Sequence, residues 1–124
     1  MRDILLVSLG AVFGSSLRFK IYTKLEELNL KKYFIILIIN TFASFCLGLF
    51  VSIIPRISDL DLAYHLMLFC SIGFLGSLST FSSFVYDLFD LFVQFKFLIA
   101  LNLFLLSLAS GIIALGFGFI LVNQ

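Results

Sequence analysis

The sequence has 124 residues, of which 62% are hydrophobic and 12% are charged, and its mean hydropathy is +1.21. A chain this apolar cannot cover its surface with polar groups, so the composition excludes a water-soluble domain and indicates a protein embedded in the lipid bilayer. The net charge of +1 lacks the basic excess of nucleic-acid-binding proteins, and we expect no nucleic-acid partner.

The first predicted membrane span covers residues 3–23. It carries Gly10, Gly14 and Arg18 at intervals of four residues, which places them on one helix face. A stripe of small residues favours close contact with another helix. The alternative is a cleaved signal peptide, because Arg2 precedes an apolar stretch that ends in small residues. A discarded peptide has no use for a contact stripe, so we favour the span.

The second predicted span covers residues 33–54, an uncharged run long enough to cross about 30 Å of hydrocarbon. We expect Pro55 to end this helix, since proline has no amide proton. Asn40, Ser44 and Gly48 share one helix face. Two interpretations of Asn40 stay open, namely an interhelical hydrogen bond and a hydrogen-bond donor that lines an ion path.

The third predicted span covers residues 66–93 and contains the segment GFLGSLSTFSSF from Gly73 to Phe84. Its two glycines and five hydroxyl side chains weaken a helix, so we predict a break near the middle of the membrane. Irregular backbone at that depth must be surrounded by protein or water, and its free polar groups can bind ions. A packing face of small residues is the alternative. Phe81 and Phe84 would share a face if the helix resumes there, which favours the break.

The fourth predicted span covers residues 96–122 and contains a sparse polar track of Asn102, Ser107 and Ser110. The connections between the spans are short, which predicts antiparallel neighbouring helices. One end of the bundle carries six basic residues and the opposite end two: Arg18, Lys20, Lys24, Lys31, Lys32 and Lys96 against Arg2 and Arg56. The positive-inside rule therefore predicts a cytoplasmic first loop and external termini.

We recognise no catalytic site in the sequence and expect that the protein is not an enzyme. The single histidine, His65, has no second ligand at metal-binding spacing. Asp59 and Asp61 are expected to be solvated loop charges, and Asp87 and Asp90 to lie at the membrane interface. No nucleophile or general base accompanies these carboxylates, so hydrolysis has no support.

These motifs together resemble the Fluc (CrcB) fluoride channel family over nearly the full length of the chain. That family typically shows Gly-x-x-Gly-Gly-x-Thr-Thr-Phe-Ser-Thr-Phe in its third span, and the segment GFLGSLSTFSSF is similar. Its first-span glycines and arginine are similar to Gly10, Gly14 and Arg18. Its second-span asparagine and glycine are similar to Asn40 and Gly48.

The resemblance implies a passive fluoride exporter of the bacterial plasma membrane, formed by two antiparallel subunits with two pores and a central structural sodium ion. Carried over by position, the fluoride path would include Asn40, Phe81, Ser82, Ser83 and Phe84, and in the fourth span Asn102, Ser107 and Ser110. Sodium would be bound by the backbone carbonyls of Gly76 and Ser79. Structural roles would fall to Gly10, Gly14, Arg18, Gly48 and Gly73.

The resemblance leaves open whether the partner is an identical chain or an oppositely oriented relative. The six-to-two charge bias favours one orientation, and hence a heterodimer. Two other functions are alternatives. A proton-coupled multidrug antiporter needs a carboxylate inside the membrane, which the predicted cores of the spans lack. A scaffold subunit would explain the small-residue stripes but not a broken third span.

Overall fold

The computed structural model describes residues 1–124, and all of its regular elements are helices. They are, in chain order, α1 (Arg2–Glu26), α2 (Lys32–Ile57), α3 (Leu60–Met67), a π-helical segment (Leu68–Leu75), α4 (Gly76–Leu78), α5 (Phe81–Val93) and α6 (Phe97–Asn123). The elements from α3 to α5 form the third span, Leu60–Val93. Four helical stretches are long and apolar enough to cross a membrane, which confirms the predicted all-helical, four-span fold.

The second helix continues past Pro55 to Ile57, so the prediction that Pro55 ends it is wrong. Proline removes one backbone donor, and so near the end of a helix it costs only a single hydrogen bond. The last turn is also tied to the end of α6, because Arg56 donates to the Val122 carbonyl at 3.0 Å and to the side chain of Asn123. These contacts stabilise the turn that follows the proline.

The first helix packs against the third span through glycines on both sides. A Cβ atom added at Gly10 would lie 2.9 Å from the Phe74 nitrogen, and one added at Gly73 would lie 2.6 Å from the Val7 carbonyl oxygen. Side chains at these positions would therefore collide with the opposing backbone. The first helix is an integral part of the packed bundle, which argues against the signal-peptide alternative.

We expect Gly10→Ala to lower the free energy of unfolding by about 1–3 kcal/mol, the usual cost of overpacking a tight contact. The opposing atoms at Gly10 belong to the backbone and cannot rotate away. Gly116→Ala is the matched control, since a Cβ there has no neighbour within 4 Å. Thermal unfolding of the purified variants in detergent compares the two. Equal midpoints for both variants would contradict the predicted contact.

The second helix lies between α6 and the third span, and contacts both closely. A Cβ at Gly48 would lie 2.9 Å from the Phe119 nitrogen, and one at Gly118 would lie 3.2 Å from the Leu49 nitrogen. On its other side α2 forms the main core with the third span, made of Ile35, Ile39, Ala43, Leu75 and Leu78. This packing holds the residues of α2 against the interruption of the third span.

Candidate functional site

The third span is interrupted at Ser79 and Thr80. Helical geometry ends after Leu78, and both residues are extended, with φ −70° and ψ 155° at Ser79 and φ −141° and ψ 106° at Thr80. The hydroxyl of Thr80 caps α5 by accepting a hydrogen bond from the Ser83 amide at 3.3 Å. Threonine is a favoured residue at this position because its side chain replaces a missing helical acceptor. The chain therefore leaves one helix and begins another within two residues.

Asn40 of α2 pairs with the backbone of Thr80 at this interruption. Its Oδ1 accepts a hydrogen bond from the Thr80 amide at 2.8 Å, and its Nδ2 donates to the Thr80 carbonyl at 3.2 Å. The Asn40 side chain thus satisfies both backbone polar groups of Thr80, which is 5% exposed. In a continuous helix the Thr80 amide would instead donate to the Gly76 carbonyl, four residues earlier. The pairing is an interhelical hydrogen bond, but it does not use every donor of Asn40.

A groove of about 490 Å³ lies beside this pairing, bounded by α2, α5 and α6. We call it the phenylalanine groove; its lining includes Asn40, Ser44, Thr80, Phe81, Phe84 and Ser107. The Phe81 and Phe84 rings are 6.5 Å apart and inclined at 45°. The groove is open on one side, where Phe81 is 77% exposed. The structure therefore brings four of the predicted path residues together: Asn40, Phe81, Phe84 and Ser107.

The remaining predicted path residues lie outside the phenylalanine groove. Ser82 and Asn102 are exposed. Ser110 accepts a hydrogen bond from Thr41 at 3.1 Å, at a different surface between α2 and α6. Successive residues of a helix are about 100° apart, so Asn102, Ser107 and Ser110 cannot share one face of α6. Only Ser107 of these three faces the groove.

A second cavity, of about 350 Å³, lies on the other side of the interruption and is lined by Ser15, Arg18, Tyr22, Lys32, Thr80 and Ser83. We call it the arginine pocket. Arg18 donates to the Ser79 carbonyl at 3.5 Å, which is a long hydrogen bond. Thr80 lines both the arginine pocket and the phenylalanine groove. A single residue of the interruption, Thr80, therefore lies between the two cavities.

The two predicted sodium-binding residues share a third cavity, although Ser79 also lines the phenylalanine groove and its carbonyl accepts the hydrogen bond from Arg18. Gly76 and Ser79 border a small cavity of about 130 Å³, together with Ser44 and Ser71. Gly76 is exposed, and a Cβ there would meet no atom closer than the Ser71 carbonyl oxygen at 3.8 Å. Gly76 is therefore accessible, at a cavity that α2 borders through Ser44.

Asp87, which was expected at the membrane interface, is buried within the helix bundle. It is 8% exposed and its Oδ1 lies 3.9 Å from the ammonium of Lys32. Its Oδ2 has no hydrogen-bond partner. Asp87 follows Phe84 by three residues and so shares the face of α5 that packs inward. This spacing is the sequence signal that could have predicted the burial of Asp87. The contact with Lys32 could not be predicted in the same way, because it depends on how α2 and α5 pack.

The lysine pocket, of about 340 Å³, adjoins Asp87 and is lined in part by Lys31, Lys32, Tyr86, Asp87, Asp90 and Lys96. Asp90 is exposed in the single chain. No three His, Cys, Asp or Glu side chains are close enough to hold a metal ion.

Four apolar crossings, with a cavity on each side of an interrupted helix, define a small multi-pass membrane protein organised around that interruption. Residues 5–119 match the family described as "CrcB-like protein, Camphor Resistance (CrcB)". The chain belongs to this family.

Three relatives illustrate the similarity. The chain is 58% identical over 124 residues, all of both proteins, to "Fluoride-specific ion channel FluC 2" of Prochlorococcus marinus (strain NATL2A). It is 35% identical over 117 residues to "Fluoride-specific ion channel FluC 1" of Parasynechococcus marenigrum (strain WH8102), which covers 94% of this chain and 90% of the relative. It is 33% identical over 122 residues to "Fluoride-specific ion channel FluC" of Serratia proteamaculans (strain 568), and the match covers 98% of this chain and 94% of the relative.

Proposed function

We propose that this chain is a subunit of a fluoride-selective ion channel that releases fluoride from a bacterial cell down its electrochemical gradient. The observation that carries the proposal is the 58% identity, over the whole chain, to a protein named as a fluoride-specific ion channel. The relatives are named as channels rather than enzymes, which agrees with the lack of a recognisable catalytic site in the sequence.

The phenylalanine groove offers the groups that a desolvated fluoride ion needs. The amide nitrogen of Asn40 has two hydrogens, and only one of them is used by the Thr80 carbonyl. The second is free to donate to an anion, as is the hydroxyl of Ser107. The edges of the Phe81 and Phe84 rings are electropositive and can face the anion as well. Together these groups replace part of the hydration shell.

No charged side chain lines the phenylalanine groove. Conduction requires binding that is strong enough for the ion to enter and weak enough for it to leave. Neutral donors and ring edges meet both needs, whereas a fixed cation in the groove would retain the ion. The arginine pocket, on the other side of Thr80, contains Arg18 and Lys32 and would gather anions at the approach to the groove.

We expect purified protein in liposomes to release fluoride down its gradient, with little release of chloride. A fluoride electrode measures the efflux, and protein-free vesicles give the background rate. Vesicles loaded with chloride test the selectivity under the same conditions. Efflux no faster than from empty vesicles would refute the proposed function.

A second subunit is required to close the conduction path. The phenylalanine groove is open on one side, and lipid cannot satisfy the polar groups that line it. An antiparallel partner would cover the groove and present an equivalent groove of its own, which gives two pores per dimer. The third span has 34 residues, more than the roughly 20 needed for a crossing. A span of this length can include non-helical residues and still cross, which is compatible with an interruption near the middle of the membrane in the proposed dimer.

The proposed structural sodium ion would be bound by the carbonyls of Gly76 and Ser79. Two features fit this assignment at Gly76: the Thr80 amide, the helical donor to Gly76, is used by Asn40, and Gly76 is exposed. At Ser79, sodium would replace the long hydrogen bond that the carbonyl accepts from Arg18. Carbonyl oxygens are suitable ligands for a hard cation. One chain supplies only two of them, so the same pair from the partner would complete the shell. When bound, sodium would hold the two interrupted spans together.

The partner is either an identical chain or an oppositely oriented relative. The six-to-two distribution of basic residues supports a single orientation, and the similar proteins include ones named FluC 1 and FluC 2. We expect a C-terminal tag on this chain to react with a membrane-impermeant reagent only from outside the cell. Labelling from both sides in equal amounts would indicate dual orientation and would favour a homodimer.

A further inference from the structure

Lys32 lies between the arginine pocket and the lysine pocket and lines both of them. Its ammonium is 3.9 Å from Asp87 Oδ1 and 4.8 Å from the centre of the Tyr86 ring. Neither contact has the geometry of a hydrogen bond. The side chain is also 51% exposed. All three ammonium hydrogens of Lys32 are therefore available to another acceptor.

Asp87 is the immobile member of this pair. Its carboxylate is almost completely buried, and Oδ2 has no hydrogen-bond partner. Lys32 is the cation that faces it directly, while Asp90, Lys31 and Lys96 line the same pocket. A buried carboxylate is costly unless a cation compensates it. Asp87 therefore attracts Lys32 without holding it through a hydrogen bond.

We propose that Lys32 is an anion-binding residue at the mouth of the fluoride path, and that Asp87 is a positioning residue that limits how tightly Lys32 holds the anion. The proposal rests on the channel function proposed above. The cavities support it, because Lys32 opens into the arginine pocket, whose wall includes Thr80, and Thr80 also lines the phenylalanine groove. Between an anion bound at Lys32 and the phenylalanine groove there is thus only the arginine pocket.

The loose ion pair explains how such a site can both attract and release an anion. An ammonium without a counter-charge attracts fluoride strongly and also delays its departure. A carboxylate beside the ammonium competes for it, and Lys32 returns to Asp87 when the anion moves inward. Attraction is then retained without a long residence time, as conduction requires.

The test measures initial fluoride efflux from liposomes over a series of internal fluoride concentrations. We expect Lys32→Gln to raise the half-saturating concentration by roughly fivefold, since one nearby positive charge is lost. Asp87→Asn removes the competitor, so the half-saturating concentration and the maximal rate should both fall by roughly fivefold. Lys32→Arg keeps the charge and should retain the wild-type half-saturating concentration.

Lys24→Gln is the matched control, because it removes the same charge from an exposed residue at the same end of the bundle that lines neither pocket. An equal shift in Lys24→Gln and Lys32→Gln would mean that only bulk surface charge matters, and would overturn the proposal. An unchanged half-saturating concentration in Lys32→Gln, with normal wild-type efflux, would overturn it and leave the channel function intact. Absence of wild-type efflux would instead refute the channel function.

The double variant separates positioning by Asp87 from a purely structural role. If Asp87 acts through Lys32, adding Asp87→Asn to Lys32→Gln causes no further change in the half-saturating concentration. If Asp87→Asn lowers the half-saturating concentration equally in the wild-type and the Lys32→Gln background, the positioning role is overturned. If Asp87→Asn does not fold, the comparison of Lys32→Gln, Lys32→Arg and Lys24→Gln still decides whether Lys32 binds the anion.

Discussion

Replacement of Asn40 by leucine is expected to abolish fluoride efflux and to destabilise the protein. Leucine has the same number of side-chain heavy atoms and the same branching as asparagine, but it cannot pair with the amide and the carbonyl of Thr80, which are buried. An unpaired buried backbone group costs about 1–3 kcal/mol, so the two groups together should lower the free energy of unfolding by about 2–6 kcal/mol. Efflux from liposomes and thermal unfolding in detergent measure the two effects.

Asn40→Asp tests whether Asn40 faces the anion. Aspartate keeps an acceptor for the Thr80 amide but loses the donor to the Thr80 carbonyl. We expect efflux to be lost as completely as in the leucine variant, because the new negative charge repels fluoride. We expect the variant to be destabilised as well, because a charged oxygen then faces the Thr80 carbonyl oxygen without a cation beside it. Normal conduction by Asn40→Asp would show that Asn40 does not face the anion.

Asn102→Leu is the matched control for the asparagine-to-leucine change. Asn102 lies on a membrane-spanning helix, but it is exposed and makes no hydrogen bond. We expect wild-type efflux and an unchanged unfolding midpoint. Loss of efflux in this variant would place Asn102 on the fluoride path, as its position in the sequence first implied.

The four crossings and the helix contacts could be predicted from the sequence because they depend on local periodicity. A long uncharged run forms a spanning helix whatever surrounds it. Gly10 and Gly14 lie four residues apart, which puts them on one face of α1, and both are buried against the third span. The residues of a single helix carry this information, so no knowledge of the partner helix was needed.

The position of the interruption and the burial of Asp87 depend on contacts between helices. The glycines of the signature remain helical, and none of the glycines in the chain has a positive φ. The backbone instead leaves the helix at Ser79 and Thr80, where Asn40 of another helix supplies the missing partners. No periodicity in 66–93 shows which residue Asn40 will reach.

The same reasoning explains why Thr80 was not among the predicted path residues. Its hydroxyl caps α5 while its backbone pairs with Asn40, and it lines the cavities on both sides of the interruption. A threonine three residues before Ser83 is a recognisable capping pattern. That pattern locates the start of α5, but the role between two cavities appears only when α1, α2 and α6 are in place.

We expect Phe81→Ile to reduce fluoride efflux by about tenfold. A tenfold change corresponds to a free energy similar to that of one favourable contact with an aromatic edge. Isoleucine is apolar but has no electropositive ring edge to face an anion. Phe81 is 77% exposed in the single subunit, so the change should have little effect on the unfolding midpoint of that subunit. Phe84→Ile should reduce efflux similarly and also lower stability, because Phe84 packs beside Leu91 and Leu103.

Phe89→Ile is the matched control on the same helix, since Phe89 is 64% exposed and lies outside the phenylalanine groove. Loss of efflux in Phe81→Ile but not in Phe89→Ile would locate the effect in the groove. An equal loss in both would point to a general effect on α5 or on the contacts of the proposed dimer, which a cross-linking experiment would detect. Normal efflux in both Phe81→Ile and Phe84→Ile would contradict the role of the ring edges, and would leave Asn40 and Ser107 as the groups that replace the water around fluoride.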